Sequence, residues 1–539
     1  VLSEADAAIL TQLFPEFSLL PAYHRLSTEV LQFGDYRAMR QRAYLALAGV
    51  LSRLSIEQSL IVAIDDLQWG DLDSGKLIGE VFGGSDRPNC LLILSYRSEE
   101  RGNSECLAEV FDRKPGLGDD VPGTTIELGP LLPLEANLLL NEIVGPGRRE
   151  SVEQIIAEAG GSPLLLTEMA AHVRSAFGLK TVGATTEIMR SIVASRIELL
   201  GEPSRDAFYL LCCCGGRTDV TLLSELSHCS GDLLVRQLEQ ARLASTRQGG
   251  MWIEPLHDAV RESTLLDLHD DAAALHLRLA EALVRRAGDP AEITRHFHAC
   301  RDARTSEWAE RAADAATRSF ALATSISLYR LALSTASADP ARDISLRNRL
   351  ADMLADAGRG AEAAPIYAQL ATEVPLDRAI ELRRRAAEQW LITGDSQRGT
   401  EVLSEVHRQV GLKWPQTAVG ALGALIYHRG RLALVGDAGI RNALRDQSER
   451  TRRAEQGDQA ATPVNQTVQR QLAACRAAWP IGMISVVHGA SNASLFLRLA
   501  LRSSTPSALS IGCAMEAIYH AIGGPKNAHK VDRWMKYAE

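Results

Sequence analysis

The stretch IVAIDDLQWGDLDSGKL, residues 61–77, contains two overlapping patterns. Its first part is an apolar run rich in β-branched residues that ends in Asp65 and Asp66. A short run of this kind predicts a buried strand of a parallel sheet. Its second part, Gly70–Lys76, has the spacing GxxxxGK, but Leu77 stands where a phosphate-binding loop has Ser or Thr.

The neighbouring segments predict an α/β sheet around this strand. Apolar residues at helical spacing predict a helix over 35–54, and a second helix is expected over about 73–82. A second apolar run, 91–95, predicts another buried strand, and 124–128 predicts a third. Strand, helix and strand in this order indicate part of a doubly wound sheet.

Charged residues follow the first two predicted strands. A strand that ends in two aspartates places Asp65 and Asp66 at the sheet edge where such folds bind ligands. One carboxylate there can hold Mg²⁺ and the next can orient the attacking water. Arg97 follows the second strand, where it can contact a terminal phosphate. The alternative is a solvated strand end with a surface arginine.

The GxxxxGK match in the same stretch is better explained by chance. A phosphate loop must follow its own strand directly and open a helix, so that backbone N–H groups surround the phosphates. Here a single strand would have to serve both patterns, and Leu77 removes the hydroxyl that binds magnesium. Lys76 is predicted to lie on the surface of a helix capped by Asp73 or Ser74.

The rest of the chain is predicted to be largely helical. Within 134–200, Ser162 can cap a helix and Pro163 suits its first turn. Three short helices and a hairpin over 202–268 indicate a winged-helix domain. Beyond residue 270, paired amphipathic segments indicate an α-solenoid of tetratricopeptide-like (TPR-like) repeats. The polar segment 445–467 is predicted to be a loop or linker.

Composition limits the classes of function. The 539 residues are 46% hydrophobic and 23% charged with a net charge of −9, so several domains are expected and nucleic acid is an improbable partner. The nine cysteines lack CxxC spacing, and the run Cys212–Cys214 is predicted to be buried in a helix. With no long uncharged apolar run, we expect a cytoplasmic protein without a membrane span. From the start at Val1, we expect a fragment of a longer polypeptide.

Several segments together resemble one family. IDDLQWGDLDS, LLILSYRSEE, GGSPLLLTEM and PLHDAVRESTLLDL, followed by helical repeats, are similar to the signal-transduction ATPases with numerous domains (STAND). The strongest resemblance is to the ATPase and TPR-like region that follows the kinase domain in large bacterial serine/threonine protein kinases. The resemblance covers nearly the whole chain, but no phosphate loop and no kinase signature is present in it.

The resemblance implies a role for individual residues. Asp65 would coordinate Mg²⁺, Asp66 would be the catalytic acid, and Arg97 would be the sensor of the terminal phosphate. Gly161 and Pro163 match the family's GxP motif, whose proline packs by the adenine. His257, in Leu256-His257-Asp258, matches a histidine that contacts the bound diphosphate; the alternative is a purely structural histidine.

The sequence therefore predicts an α/β fold, a partial P-loop NTPase sheet, followed by an all-α part with a winged-helix domain and a TPR-like α-solenoid. The expected domains are an ATPase core (1–130), a helical lid (131–200), a winged helix (201–268) and repeats (269–539). The expected function is an ATP- and Mg²⁺-dependent switch with a kinase domain in cis and a protein partner on the repeats. The alternatives are an inactive helical-repeat scaffold and a winged-helix transcription regulator.

Overall fold

The computed structural model describes residues 3–14, 17–18, 36–84, 86–112, 117, 123–144, 149–174, 185–247, 250–268, 271–334, 339–455, 466–503 and 506–538. The chain divides into two compact units. The first combines 1–77, 86–95 and 316–539, and the second combines 78–85 and 96–315. Among the described residues, no helix is both long and apolar enough to cross a bilayer.

The first unit begins with the predicted α/β segment. Its elements are α1 (Glu4–Leu13), α2 (Tyr36–Glu57), β1 (Leu60–Ile64), α3 (Leu72–Gly83), which crosses into the second unit, and β2 (Cys90–Leu94). Strands β1 and β2 are parallel, with Leu60 opposite Cys90 and Ile64 opposite Leu94. The first two predicted strands and the two predicted helices are thus present, although residue 35, where the first helix was expected to begin, lies outside the described residues.

The exposure of the sheet differs from the prediction. Burial alternates along both strands, and Ile61, Leu91 and Ile93 are 62%, 56% and 48% exposed. The predicted third strand, 124–128, has no regular secondary structure. Strand propensity reflects packing against neighbours, and this segment pairs with no strand among the described residues. Its apolar side chains are exposed.

The remainder of the first unit is a succession of packed helices. They are α16 (Leu322–Ser334), α17 (Pro340–Asp356), α18 (Gly360–Leu370), α19 (Leu376–Ile392), α20 (Ser396–Gln409), α21 (Ala418–Glu455), α22 (Gln466–Cys475), α23 (Ala478–Ile484), α24 (Val486–Ala500), α25 (Pro506–Ala521) and α26 (Ala528–Ala538). From α16 to α20, each helix packs on the next.

Small residues lie where these helices cross, as the sequence predicts. A Cβ at Gly399 would lie 2.6 Å from the Leu391 side chain, so glycine allows α20 to approach α19. The expected tyrosine, Tyr367, is buried on α18, and its hydroxyl donates a hydrogen bond of 2.6 Å to Asp352 on α17.

The loop predicted over 445–467 is wrong in its first part. Helix α21 continues to Glu455, and α22 begins at Gln466; residues 456–465 lie outside the described residues. Arg, Ala, Gln and Glu favour helix even without an apolar face, which explains the error. Helix α21 is interrupted at Gly436, whose φ is 64°.

The second unit is helical with one small sheet. Its elements are α4 (Glu105–Phe111), α5 (Pro133–Val144), α6 (Arg149–Ala159), α7 (Pro163–Arg174), α8 (Thr185–Glu198), α9 (Glu202–Cys214), β3 (Thr218–Asp219), α10 (Val220–Ser227), α11 (Gly231–Gln240), β4 (Ala244–Arg247), β5 (Trp252–Pro255), α12 (Asp258–Leu268), α13 (Asp271–Arg285), α14 (Pro290–Ala299) and α15 (Thr305–Arg318). The sheet is antiparallel with the order β3-β5-β4.

One hydrophobic core joins α5 to α14 in the second unit. It includes Leu140, Phe208, Ile253 and Phe297, each 0% exposed. Residues Cys212–Cys214 belong to this core, as predicted, and burial raises the pKa of each of their thiols. The predicted hairpin is present as β4 and β5, although residues 248–249 of its turn lie outside the described residues.

Candidate functional site

The carboxyl ends of β1 and β2 bring three polar side chains together. Ser95 follows β2 and donates a hydrogen bond through its Oγ to Asp65, which follows β1. The same Oγ accepts the backbone N–H of Asp66 at 3.1 Å. Parallel pairing continues past the strands, since Ser95 N donates to Ile64 O at 3.0 Å and Leu67 N donates to Ser95 O at 2.9 Å. Ser95 therefore fixes the positions of both aspartates.

Asp66 has a left-handed backbone conformation, with φ 54° and ψ 44°. Aspartate tolerates this region better than most residues because its short side chain can form local hydrogen bonds. Asp66 Oδ1 accepts such a bond from Gln68 Nε2 at 2.9 Å. The turn directs the chain into a short 3-10 helix, Leu67–Trp69, while both aspartates remain exposed.

The chemistry of these side chains fits a hard divalent cation. Their available ligands are carboxylate oxygens, and Oδ2 of each aspartate accepts no hydrogen bond from the described residues. Mg²⁺ usually takes one or two carboxylates and completes its shell with water and substrate phosphates. Among the described residues, no group of three or more His, Cys, Asp or Glu could hold a metal, so a third ligand would have to come from elsewhere.

The segment Gly70–Lys76 contains the start of α3 and is separated from β1 by the 3-10 helix Leu67–Trp69. The cap, however, is neither Asp73 nor Ser74. Asp71 precedes α3 and accepts the N–H of Ser74 at 2.7 Å. Asp71 is the better cap because its side chain lies outside the first helical turn, facing the unpaired N–H groups.

Asp73, the predicted cap, instead holds the start of α16. Its Oδ2 accepts the N–H groups of Ala323 at 2.8 Å and Thr324 at 3.3 Å. Arg40 lies 3.5 Å from its other oxygen. Burial raises the pKa of Asp73, although these two backbone hydrogen bonds lower it. The role of this aspartate is therefore to join α3 to α16.

In the second unit, Arg97 forms an ion pair with a residue of another predicted motif. Its guanidinium donates to Asp258 Oδ2 at 2.8 Å, across 161 positions of sequence. Both side chains are about two-fifths exposed, at 40% and 41%. Arg97 is therefore the partner of an acidic side chain in this structure, in addition to being the predicted sensor of a phosphate.

His257 lies directly before α12, beside Asp258. Its backbone carbonyl accepts the N–H groups of Val260 at 3.0 Å and Arg261 at 3.3 Å, so it occupies the helix N-cap position. Its imidazole is exposed. An exposed ring at a helix N-terminus is positioned to meet an anion, because the N–H groups and the helix dipole favour negative charge there.

Gly161 and Pro163 lie in a turn with a clear architectural function. Gly161 has φ +78°, and a Cβ there would lie 2.6 Å from the carbonyl oxygen of Leu131. The N–H of Leu131 donates to Gly161 O at 2.9 Å, which fixes the close approach. Pro163 is the first residue of α7 and is exposed. Pro163 can therefore both begin α7 and contact a ligand.

A buried carboxylate on α7 was not among the predicted site residues. Glu168 is 0% exposed and lies 2.5 Å from Arg196 on α8 and 2.8 Å from Arg242, which follows α11. Burial would raise the pKa of Glu168, but the hydrogen bond from Arg242 and the charge of Arg196 lower it overall. A single Glu in the apolar sequence PLLLTEMAAHV was the signal that could have identified it.

No protein-family model and no curated protein matches the chain. Among solved structures, it is similar to a signal transduction ATPase with numerous domains (STAND) protein with a tetratricopeptide repeat sensor from Pyrococcus horikoshii. The sequences are 13% identical, the match covers 100% of this chain and 76% of the other, and the TM-score is 0.40.

Proposed function

We propose that the chain is the nucleotide-gated regulatory region of a bacterial multidomain serine/threonine protein kinase. ATP and ADP would favour different arrangements of its domains, and the helical repeats would bind a protein partner. A switch of this kind needs an element with two alternative sets of contacts that the terminal phosphate can shift.

The ion pair between Arg97 and Asp258 is the observation that carries this proposal. Arg97 is expected from the resemblance to sense the terminal phosphate, and a guanidinium can bond to either a carboxylate or a phosphate. If ATP attracts Arg97, Asp258 at the start of α12 loses its partner. Hydrolysis would remove the terminal phosphate and restore the ion pair between Arg97 and Asp258. The contacts of α12 would therefore depend on which nucleotide is bound.

The strand-end aspartates would supply the chemistry. Asp65 would hold Mg²⁺, which neutralises charge on the phosphates, and Asp66 would orient the attacking water. Ser95 supports both functions, since its hydroxyl bonds to Asp65 and accepts the backbone N–H of Asp66. His257 and Pro163 would contact the diphosphate and the adenine, as the family motifs imply.

The small sheet of the second unit supports a winged-helix assignment. A helix, a short strand, two helices and a hairpin follow in order, and the hairpin pairs with the short strand. Helix α11 exposes Asp232 and Glu239 beside Arg236, which disfavours binding to DNA phosphates. We therefore assign this domain to the switch and not to transcription.

The repeats would provide a surface for a protein partner. Val419, Ile426 and Leu434 on α21 are 81%, 65% and 80% exposed. These residues are seven and eight positions apart, a spacing that places them on one side of a helix, and exposed apolar side chains grouped in this way are typical of protein-binding surfaces. The same surface would serve the alternative function, a scaffold without nucleotide chemistry.

ATP turnover separates the switch from the scaffold. In the natural full-length protein, Asp65→Asn should lower turnover roughly a hundredfold, because a metal contributes several kcal/mol to charge stabilisation in the transition state. Asp86→Asn, which alters an exposed carboxylate of the same unit, is the matched control and should change nothing. Equal turnover in wild type and Asp65→Asn would leave the scaffold as the function.

A further inference from the structure

Helix α26 has a basic face that the proposed switch does not use. Four basic side chains of this helix each lie three or four positions from another of the four, which places them on one side of it. A further lysine precedes them by one turn, in the 3-10 helix Pro525–Asn527. All five side chains are exposed, and together they form the α26 basic face: Lys526, His529, Lys530, Arg533 and Lys536.

The opposite side of α26 anchors the helix in the first unit. Trp534 is 6% exposed and belongs to a hydrophobic core that includes residues of α24 and α25. Val531 and Ala538, three and four positions from Trp534, pack against the same core. An amphipathic helix that buries one side in this way turns the other side to solvent, so the basic side chains point away from the core.

Among the described residues, none neutralises the lysines of this face. Lys526, Lys530 and Lys536 form no ion pair with any of them. Asp532 is the one acidic residue within 526–536, and although it lies one turn before Lys536, it forms no ion pair there. The three ammonium groups are therefore available to a ligand.

Helix α21 contributes one charge to this surface and partly neutralises another. Arg533 pairs with Asp437 of α21 at 2.5 Å, so its charge is partly satisfied. Arg441, one turn further along α21, is exposed and donates to the Tyr537 hydroxyl at 3.4 Å, which places a second guanidinium beside α26. A ligand would therefore meet the lysines and Arg441 more than Arg533.

The ring of His520, at the end of α25, lies in this positive field. Burial first, and then the nearby charges of Arg429, Lys530 and Arg533, lower its pKa to about 4. Glu516 lies 3.7 Å from the same ring, but burial raises the pKa of this carboxyl, so it offsets the field only in part. Positive charges from α21 and α26 thus act on the same point.

The charge distribution of the chain indicates which kind of anion fits. The chain has seven lysines, and three lie within 526–536, where one arginine and one aspartate bring the net charge to +3, against −9 for the whole chain. A nucleic-acid duplex or an anionic bilayer extends far beyond one helix and would also meet this negative excess. A short acidic protein segment would contact the basic face alone, because charges beyond about 8 Å are largely screened at physiological ionic strength.

We propose that the α26 basic face binds an acidic segment of a partner protein, about five residues long and rich in Asp or Glu. From Lys526 to Lys536 the face is roughly 15 Å long, at about 1.5 Å per helical residue. An extended chain advances about 3.3 Å per residue, so about five residues cover this length. The proposal goes beyond the switch, because it requires neither ATP nor the apolar side chains of α21.

Fluorescence anisotropy of a labelled hexaglutamate peptide, titrated with the full chain at low ionic strength, tests this proposal. Hexaglutamate should bind at least about tenfold more tightly than uncharged hexaglutamine, and added salt should weaken its binding, because exposed charges are screened. The combined substitutions Lys526→Gln, Lys530→Gln and Lys536→Gln should weaken binding about thirtyfold, at about threefold for each exposed charge pair. The corresponding triple Lys→Arg variant keeps the charges and should bind hexaglutamate like the wild type.

Lys413→Gln is the matched control, since it removes an exposed lysine of the same unit outside α26, and it should leave the affinity for hexaglutamate unchanged. The triple Gln variant should keep the thermal midpoint of the wild type, because its three lysines are exposed. No binding of hexaglutamate, equal affinity for hexaglutamine, or an unaffected triple Gln variant would overturn the proposal. So would tighter binding of duplex DNA, or of phosphatidylserine–phosphatidylcholine vesicles, that the triple Gln variant loses.

Discussion

The strand ends that hold Asp65 and Asp66 differ in chemistry from the start of α12. The first region presents exposed carboxylates, organised by the hydroxyl of Ser95. In the second region, the carboxylate of Asp258 accepts a hydrogen bond of 2.8 Å from the guanidinium of Arg97. The first carboxylates are free to bind a metal cation, whereas Asp258 already has a cationic partner. The sequence pattern identifies the first region, because its residues follow consecutive strands, but not the pair, whose residues are 161 positions apart.

Asp65→Asn should give the largest effect and should separate the two regions. Turnover of ATP in the full-length protein should fall roughly a hundredfold, as argued for loss of a metal ligand. The thermal midpoint should remain close to that of the wild type, because Asp65 is exposed. A parallel loss of turnover and stability would mean that the substitution acts through the fold and not through a metal ligand.

Gly161→Ala tests whether Gly161 is needed for the stability of its turn. We expect the second unit to lose about 2 kcal/mol of stability, since alanine is strained at positive φ and its Cβ would collide with the Leu131 carbonyl. Gly160→Ala is the matched control: its φ is +55°, but no atom lies within 4 Å of the added Cβ. Chemical denaturation should therefore show the smaller loss at Gly160, and equal losses would contradict the close approach.

A pair of serine variants gives the smallest effect and the most closely matched contrast. Ser95→Ala should cost about 1 kcal/mol of stability, because it removes the acceptor for Asp66 N–H and the donor to Asp65. Ser491→Ala, on α24, should change stability little, because the Ser491 hydroxyl makes no hydrogen bond with the described residues. Denaturation midpoints of the two variants decide the matter, and a larger loss at Ser491 would reverse our assignment.

Local sequence patterns predicted most helices and strands of this protein, but not which of their faces are buried. The strands at 60–64 and 90–94, the three short helices α9 to α11 and the hairpin follow from periodicity and turn residues. The exposure of Ile61 and Leu91 could not be predicted, because it depends on which elements pack against the sheet. The predicted strand at 124–128 is absent for a related reason, because a strand needs a neighbouring strand to pair with and not only β-branched residues.

The candidate sites show the same limit. Asp65 and Asp66 were found because carboxylates after a strand have a fixed place in the fold. The contact of Arg97 with Asp258 joins positions 161 apart, and that of Asp73 with the backbone of Ala323 joins positions 250 apart. No spacing in the sequence encodes such contacts. Predicting them requires the tertiary structure.

The partner of Arg97 tests the central claim, nucleotide gating, most directly. In the full-length protein, the ratio of ATP to ADP affinity should be measured for the wild type, Asp258→Asn and Arg97→Ala. If the terminal phosphate and Asp258 compete for Arg97, Asp258→Asn should raise that ratio about tenfold, because the guanidinium no longer has to leave a carboxylate. Arg97→Ala should remove the preference for ATP and make the Asp258→Asn substitution silent. An unchanged ratio in both variants would contradict the account.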